Sequence, residues 1–210
     1  MGKWNIRRPA KSRAQNIRFL IVSEGAITEI EYLNAIKRSR KISSADVEII
    51  PPGPTSPKEI VQKARKLGIH ARKSDPYDAI WCVFDVEAKV TQNARPGLAD
   101  AIQLANANQI FIALSNPCFE LWILLHEQDC TAWIYSNDVQ RRCSTLNLVD
   151  GKSIYKVDEI LQKYPAARQR AKALEAGHLC NGKQRPEDHN PSSSMYKLVE
   201  AIYEAFPSPS

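Results

Sequence analysis

Glycine is scarce in this chain, eight in 210 residues, and methionine scarcer at two. No G-x-x-x-x-G-K-[ST] occurs, so the chain carries no P-loop of its own, and the proline-rich stretch PPGPTSP (51–57) is too poor in glycine to cradle a phosphate and reads as a loop. A G-x-S-x-G nucleophile elbow is missing as well. The five cysteines are odd in number and contain no Cys-x-x-Cys, which excludes a disulfide framework. Cys143, His178, Cys180 and His189 lack the paired spacing of a structural zinc site and form only a weak zinc pattern. No run of 18 apolar residues is present, and the first residues lack the apolar stretch of a secretory signal. No membrane association and a reducing, cytoplasmic location are therefore expected.

Acid is absent from residues 1–18, which carry Lys3, Arg7, Arg8, Lys11, Arg13 and Arg18. The remainder holds 23 basic and 23 acidic residues, so the net charge of +6 comes entirely from this arm. Such an arm attracts phosphate backbones by Coulomb steering and counterion release without reading sequence. A solvated leader has the same composition, and the two readings stay open here.

After the arm comes a globular pattern, 43% hydrophobic over the chain, sufficient for one domain with embellishments. IRFLIV (17–22) is an apolar run of strand length ended by the turn-forming SEG. From Thr28 the apolar residues Ile30, Leu33 and Ile36 recur at helical spacing, with Thr28 as a cap and Glu31 three residues on, as in a capping box. ADVEII (45–50) is a second strand, stopped by prolines, and Ser56 caps a helix with Pro57 at its first position. DAIWCVF (78–84) and QIFIAL (109–114) give a third and a fourth strand, separated by a helix over GLADAIQLANAN. Ser115 and Asn116 are expected to cap the helix through FELWILLHE, with proline just inside its start. Wholly apolar strands alternating with helices specify a parallel sheet covered on both faces. Beyond Thr131 helical patterns take over, and this segment is expected to pack on the sheet.

In such sheets ligands gather at the carboxyl ends of the strands. Glu24 comes just after the first strand and Asp85 just after the third, and in an extended backbone Asp85 and Glu87 point the same way. Convergent carboxylates repel one another unless a cation neutralises them. Mg2+, or Mn2+ in its place, suits a few carboxylates together with a substrate phosphate. By spacing alone the same acids also fit ordinary exposed loop positions.

Four blocks of sequence add to this. IVSEGAITEIEYL, VFDVE, ALSNPCFELWILLHE and HNPSSSMYKLVEAI resemble, in that order, the blocks of the RloB-like family over roughly residues 17–202, with Ser193 standing where threonine is expected. The resemblance implies a Toprim-like, Rossmann-like parallel sheet flanked by helices, with a C-terminal helical extension. The expected division is a basic arm over 1–18, a core over 19–127 and the extension over 128–210. Toprim sites use a glutamate after the first strand and a D-x-D pair after the third. Glu24 and Asp85 carry over as metal ligands, and Glu87 departs from the aspartate by one methylene. The resemblance further implies a metal-dependent nuclease acting on RNA or DNA in bacterial anti-phage defence, partnered by an AAA/ABC-type ATPase. A sensor module on the same fold, binding nucleic acid or a partner without chemistry, is the alternative, and a homo-oligomer stays open.

Glu120, on the first turn of the helix after the fourth strand, is either a further ligand or a residue favoured there by the helix dipole. Lys152 and Lys156, in DGKSIYK, are candidates to stabilise phosphoryl charge, Lys156 being carried as the catalytic candidate. His126, His178 and His189 are candidate proton shuttles because histidine as a residue type ordinarily titrates near neutrality, with a hydrogen-bonding structural role favoured for His189. Trp122 and its leucine neighbours read as core.

Overall fold

The computed structural model describes residues 17–51, 53, 56–72, 74–87 and 95–207. The basic arm read over 1–18 thus lies, up to residue 16, outside the described residues.

The four apolar runs form the parallel strands β1 (Phe19–Ser23), β2 (Val47–Ile50), β3 (Ala79–Asp85) and β4 (Phe111–Asn116). Three helices connect them: α1 (Thr28–Ser39), α2 (Pro57–Ala71) and α3 (Leu98–Ala107). After β4 come α4 (Glu120–Glu127), α5 (Ser136–Thr145), the short hairpin β5–β6 (Val149–Asp150, Ser153–Ile154), α6 (Val157–Gln162) and α7 (Tyr164–Cys180). A 3-10 turn (Pro186–Asp188), β7 (Ser192–Ser193) and α8 (Met195–Ala205) complete the chain. Strand order is β2-β1-β3-β4-β7, with β7 antiparallel on the edge. This is the mostly parallel, Rossmann-like α/β sheet that the apolar strands require.

Because side chains alternate across a strand, each strand feeds two cores. Phe19, Ile21, Trp81 and Val83 pack with α1, α4, α7 and α8 on one face, and Leu20, Val22, Cys82 and Phe84 with α2 and α3 on the other. Trp122 is fully buried in the first of these cores, and truncating it to alanine is expected to cost about 3–5 kcal/mol. Among the described residues no helix is long and apolar enough to cross a membrane.

Local capping follows the sequence at one helix and departs from it at two. Ser56 and Glu59 form a reciprocal capping box ahead of Pro57. The box expected at Thr28 does not form. Thr28 is already helical; its hydroxyl donates to the Lys152 carbonyl at 2.5 Å, and the Glu31 carboxylate accepts from Ile154 N–H and Ser153 Oγ at 2.7 and 3.1 Å. A tertiary partner, the β5–β6 hairpin, claims the side chains that local capping would have used. Nor do Ser115 and Asn116 cap α4, because both belong to β4, where Ser115 Oγ meets Ser193 Oγ at 3.0 Å and Asn116 Nδ2 donates to Glu187 O at 3.1 Å. Pro117, Cys118 and Phe119 intervene before the helix.

Candidate functional site

The chain leaves β1 in one direction to reach β2 and returns past it to β3, so the switch point of the sheet lies between the carboxyl ends of β1 and β3. Glu24 N–H donates to Val83 O at 2.9 Å, which prolongs the β1–β3 ladder by one residue and fixes where the Glu24 side chain departs. Gly25 follows and leaves room for the Glu29 carboxyl, whose Oε2 lies 1.7 Å from where a Cβ at this position would stand. Beyond β3, Val86 N–H donates to Ser115 O and Glu87 N–H to Pro117 O, at 2.9 and 3.1 Å. The backbone stays extended along β4, and Asp85 and Glu87 reach one side together.

The result is a cavity of about 350 Å³ lined by Glu24, Glu29, Asp85, Glu87 and Glu120, with Lys152 beside them. Asp85 and Glu87 are 8% and 6% exposed. Three segments shape the cavity. Glu24 is ion-paired with the Arg95 guanidinium, and its Oε2 also accepts from Asp85 N–H at 3.3 Å. Glu87 Oε2 accepts from both the N–H and the hydroxyl of Ser136, at 3.2 and 2.8 Å, at the start of α5. Thr28 and Glu31 clamp the hairpin that brings in Lys152. The cavity's negative field registers on Cys118: burial pushes its thiol up, and the charges of Glu120 and Asp85 add to this.

Five of the sequence candidates, Glu24, Asp85, Glu87, Glu120 and Lys152, therefore share one cavity. Lys156 stands apart from them: it takes a left-handed conformation (φ 50°) at the start of α6, and its Nζ pairs with exposed Glu159 at 3.2 Å. The lysine on the cavity wall is Lys152, because the Thr28 contact fixes the carbonyl of that residue. The histidines lie elsewhere. His126 is buried between Trp122 and Tyr32, with Nδ1 on Trp122 O at 2.8 Å and Nε2 on the Tyr32 hydroxyl at 3.1 Å, and burial pushes its imidazole down to about 4. His189 stacks on His178 with ring centroids 4.8 Å apart, and its Nε2 meets Lys183 O at 2.8 Å. It lines a second groove of about 300 Å³ along the β4–β7 edge.

Sequence reasoning missed Arg95 and Ser136, and it met Glu29 only as part of the first family block, not as a residue of the site. Arg95 sits in a proline-flanked stretch with no periodicity, and no local signal ties it to a glutamate 71 positions earlier. Residues 88–94, between Glu87 and Arg95, lie outside the described residues.

The donor set suits a hard divalent cation: carboxylate oxygens on adjacent strand ends, mostly buried, in a cavity open to small ligands. As arranged here, however, Arg95 supplies the counter-charge at Glu24 and Ser136 holds Glu87. Among the described residues no three His, Cys, Asp or Glu side chains converge as a ligand set.

A parallel α/β sheet with a carboxylate-lined cavity at its switch point is the class this fold and site define. Residues 19–202 match the family model described as RloB-like protein, which spans most of the 210 residues, and the chain belongs to that family. No curated protein and no solved structure matches it.

Proposed function

We propose that the protein is a metal-dependent nuclease of Toprim type that cleaves phosphodiester bonds in RNA or DNA. The observation that carries this reading is the meeting of Glu24, Asp85, Glu87 and Glu120 from three separate segments in one cavity at the β1/β3 switch point. Glu24, Asp85 and Glu87 would hold Mg2+ or Mn2+, with Glu120 as a further ligand or as a group that orients one. Bound there, the cation would acidify water and offset the charge that grows on a phosphoryl group.

The chain's own residues prepare the site for this. Ser136 fixes the Glu87 carboxylate through two hydrogen bonds, so the longer side chain keeps one orientation. Arg95 holds the Glu24 carboxylate in place through their ion pair. Lys152 is the basic residue among the described lining residues of a cavity that carries five carboxylates, and it would meet a substrate phosphate there. A role in anti-phage defence and an AAA/ABC-type ATPase partner rest on the family resemblance, and any ATP hydrolysis falls to that partner because this chain lacks a P-loop.

One observation favours a second reading, a non-catalytic module that binds nucleic acid or a partner. The Glu24–Arg95 pair already neutralises one of the acids, which a metal site would need free. Labelled RNA and DNA pools incubated with purified protein, in Mg2+ or Mn2+ against chelator, separate the two. Cleavage that needs metal and is lost in Asp85→Asn supports the nuclease; inertness on every pool with every metal removes it.

A further inference from the structure

Just ahead of the serine that holds Glu87, the chain displays two aromatic rings to solvent. Trp133 is 56% and Tyr135 43% exposed, and their rings meet edge to face with centroids 4.1 Å apart. Between them Ile134 is buried, the alternation expected where residues i and i+2 share one side of an extended segment. The backbone carrying the pair is fixed at both ends. Asn190 grips Ile134 from across the fold, its Oδ1 accepting from the Ile134 N–H at 3.0 Å and its Nδ2 donating to the Ile134 carbonyl at 2.9 Å. The Tyr135 carbonyl accepts the first turn of α5, from Asp138 and Val139 N–H at 3.0 and 3.1 Å. Holding a tryptophan and a tyrosine outward on a clamped backbone forgoes the burial that large aromatics usually gain, which is the mark of a contact surface.

We propose that Trp133 and Tyr135 form a stacking platform for an unpaired nucleobase, which makes single-stranded nucleic acid the ligand class of the neighbouring cavity. This inference rests on the nucleic-acid reading of that cavity and deepens it. Two observations and one general property of nucleobases select the occupant. The platform leads without a break into Ser136, Asn137 and Gln140 on the cavity wall, so a strand stacked on the rings has its next phosphates beside the carboxylates. Arg142, exposed on α5, reaches back to Cys130, three residues ahead of Trp133, with Nη1 4.0 Å from its Sγ, and so offers a guanidinium to backbone phosphates at the segment that leads into the rings. A flat ring face accepts any base, whereas a duplex keeps its bases stacked inside and offers none.

The test uses the full chain in chelator, so that binding is read without cleavage, with labelled single-stranded RNA and DNA oligonucleotides and the matching duplexes. Stacking contributes about 1–3 kcal/mol per base, so Trp133→Ala should weaken single-strand binding roughly 5- to 150-fold. Trp133→Phe should keep most of the affinity, and the log-log salt slope should stay unchanged in both because the substitution removes no cation that pairs with a phosphate. Duplex binding should be weaker than single-strand binding and indifferent to the substitution. Single-strand affinity equal in wild type and Trp133→Ala overturns the platform, as does a wild-type preference for duplex. A change of oligomeric state in Trp133→Ala with nucleic-acid affinity intact does so too, by making the pair a contact between copies. The two proposals fail separately. Metal-dependent cleavage with no Trp133 effect removes the platform alone, and Trp133-dependent binding without cleavage under any metal removes the nuclease alone.

Discussion

Replacing Arg95 with methionine keeps an apolar stem and removes the guanidinium that pairs with Glu24. The two side chains are only 10% and 12% exposed, so in chelator the variant leaves a nearly buried carboxylate with its main counter-charge gone. Breaking such a pair costs about 3–5 kcal/mol, and since the cavity admits water the lower end applies, about 3 kcal/mol. For a chain of about this length each kcal/mol moves the melting temperature by roughly 2–4 °C, so Arg95→Met should melt roughly 6–12 °C below wild type in EDTA. If Glu24 and Asp85 serve a divalent cation, Mn2+ then takes over the missing charge. At a concentration about 100-fold above its dissociation constant, it should restore about 2.7 kcal/mol. Wild type should gain less, because the ion must first displace Arg95. The assay is a pair of thermal melts, with Mn2+ and with chelator, on wild type, Arg95→Met and Arg95→Met/Glu24→Gln. Arg95 has interactions besides Glu24, and the double variant isolates the pair. It should recover stability in chelator and lose the Mn2+ response. Equal Mn2+ stabilisation of all three proteins would refute the idea that Glu24 exchanges an arginine for a metal.

Asp85→Asn should leave the fold and nucleic-acid affinity intact while reducing cleavage by orders of magnitude, whereas Glu87→Asp should retain activity if Ser136 can still reach the shorter carboxylate; gel assays on labelled pools read both, and a fully active Asp85→Asn would dismiss the metal-ligand role. Deleting residues 1–16 should weaken nucleic-acid binding and flatten its salt dependence by roughly 0.7–0.9 in log-log slope for each phosphate the arm had neutralised, and an unchanged slope would show the arm to be a solvated leader. Burial holds the His126 imidazole near 4 in the folded chain, against about 6.5 when unfolded, so the unfolded state binds the extra proton first on acidification. The associated stability, on the order of 3 kcal/mol, is complete above pH ~6.5 and lost as pH falls through about 4; His126→Gln should flatten urea-derived stability over that window, and a slope identical to wild type would count against it.

The apolar strands, their alternation with helices, the Ser56 cap and the positions of Glu24, Asp85 and Glu87 at strand ends were all legible in the linear sequence. Each is a local property: the periodicity of one segment, a cap three residues from its partner, an acid next to the strand that carries it. Tertiary structure decided what those local signals could not reach. It turned Thr28 and Glu31 from a helix cap into a clamp on the β5–β6 hairpin, because a partner more than 120 positions away competes for the same side chains. It put Lys152 on the cavity wall and left Lys156 on the surface, although both lie in one short stretch. Arg95 and Ser136 came to Glu24 and Glu87 through loops without periodicity, and two-residue strands such as β7 are too short to leave any pattern. The residue types and strand ends of the site were thus written locally, while the counter-charges that set its chemistry depend on contacts that exist only once the sheet has assembled.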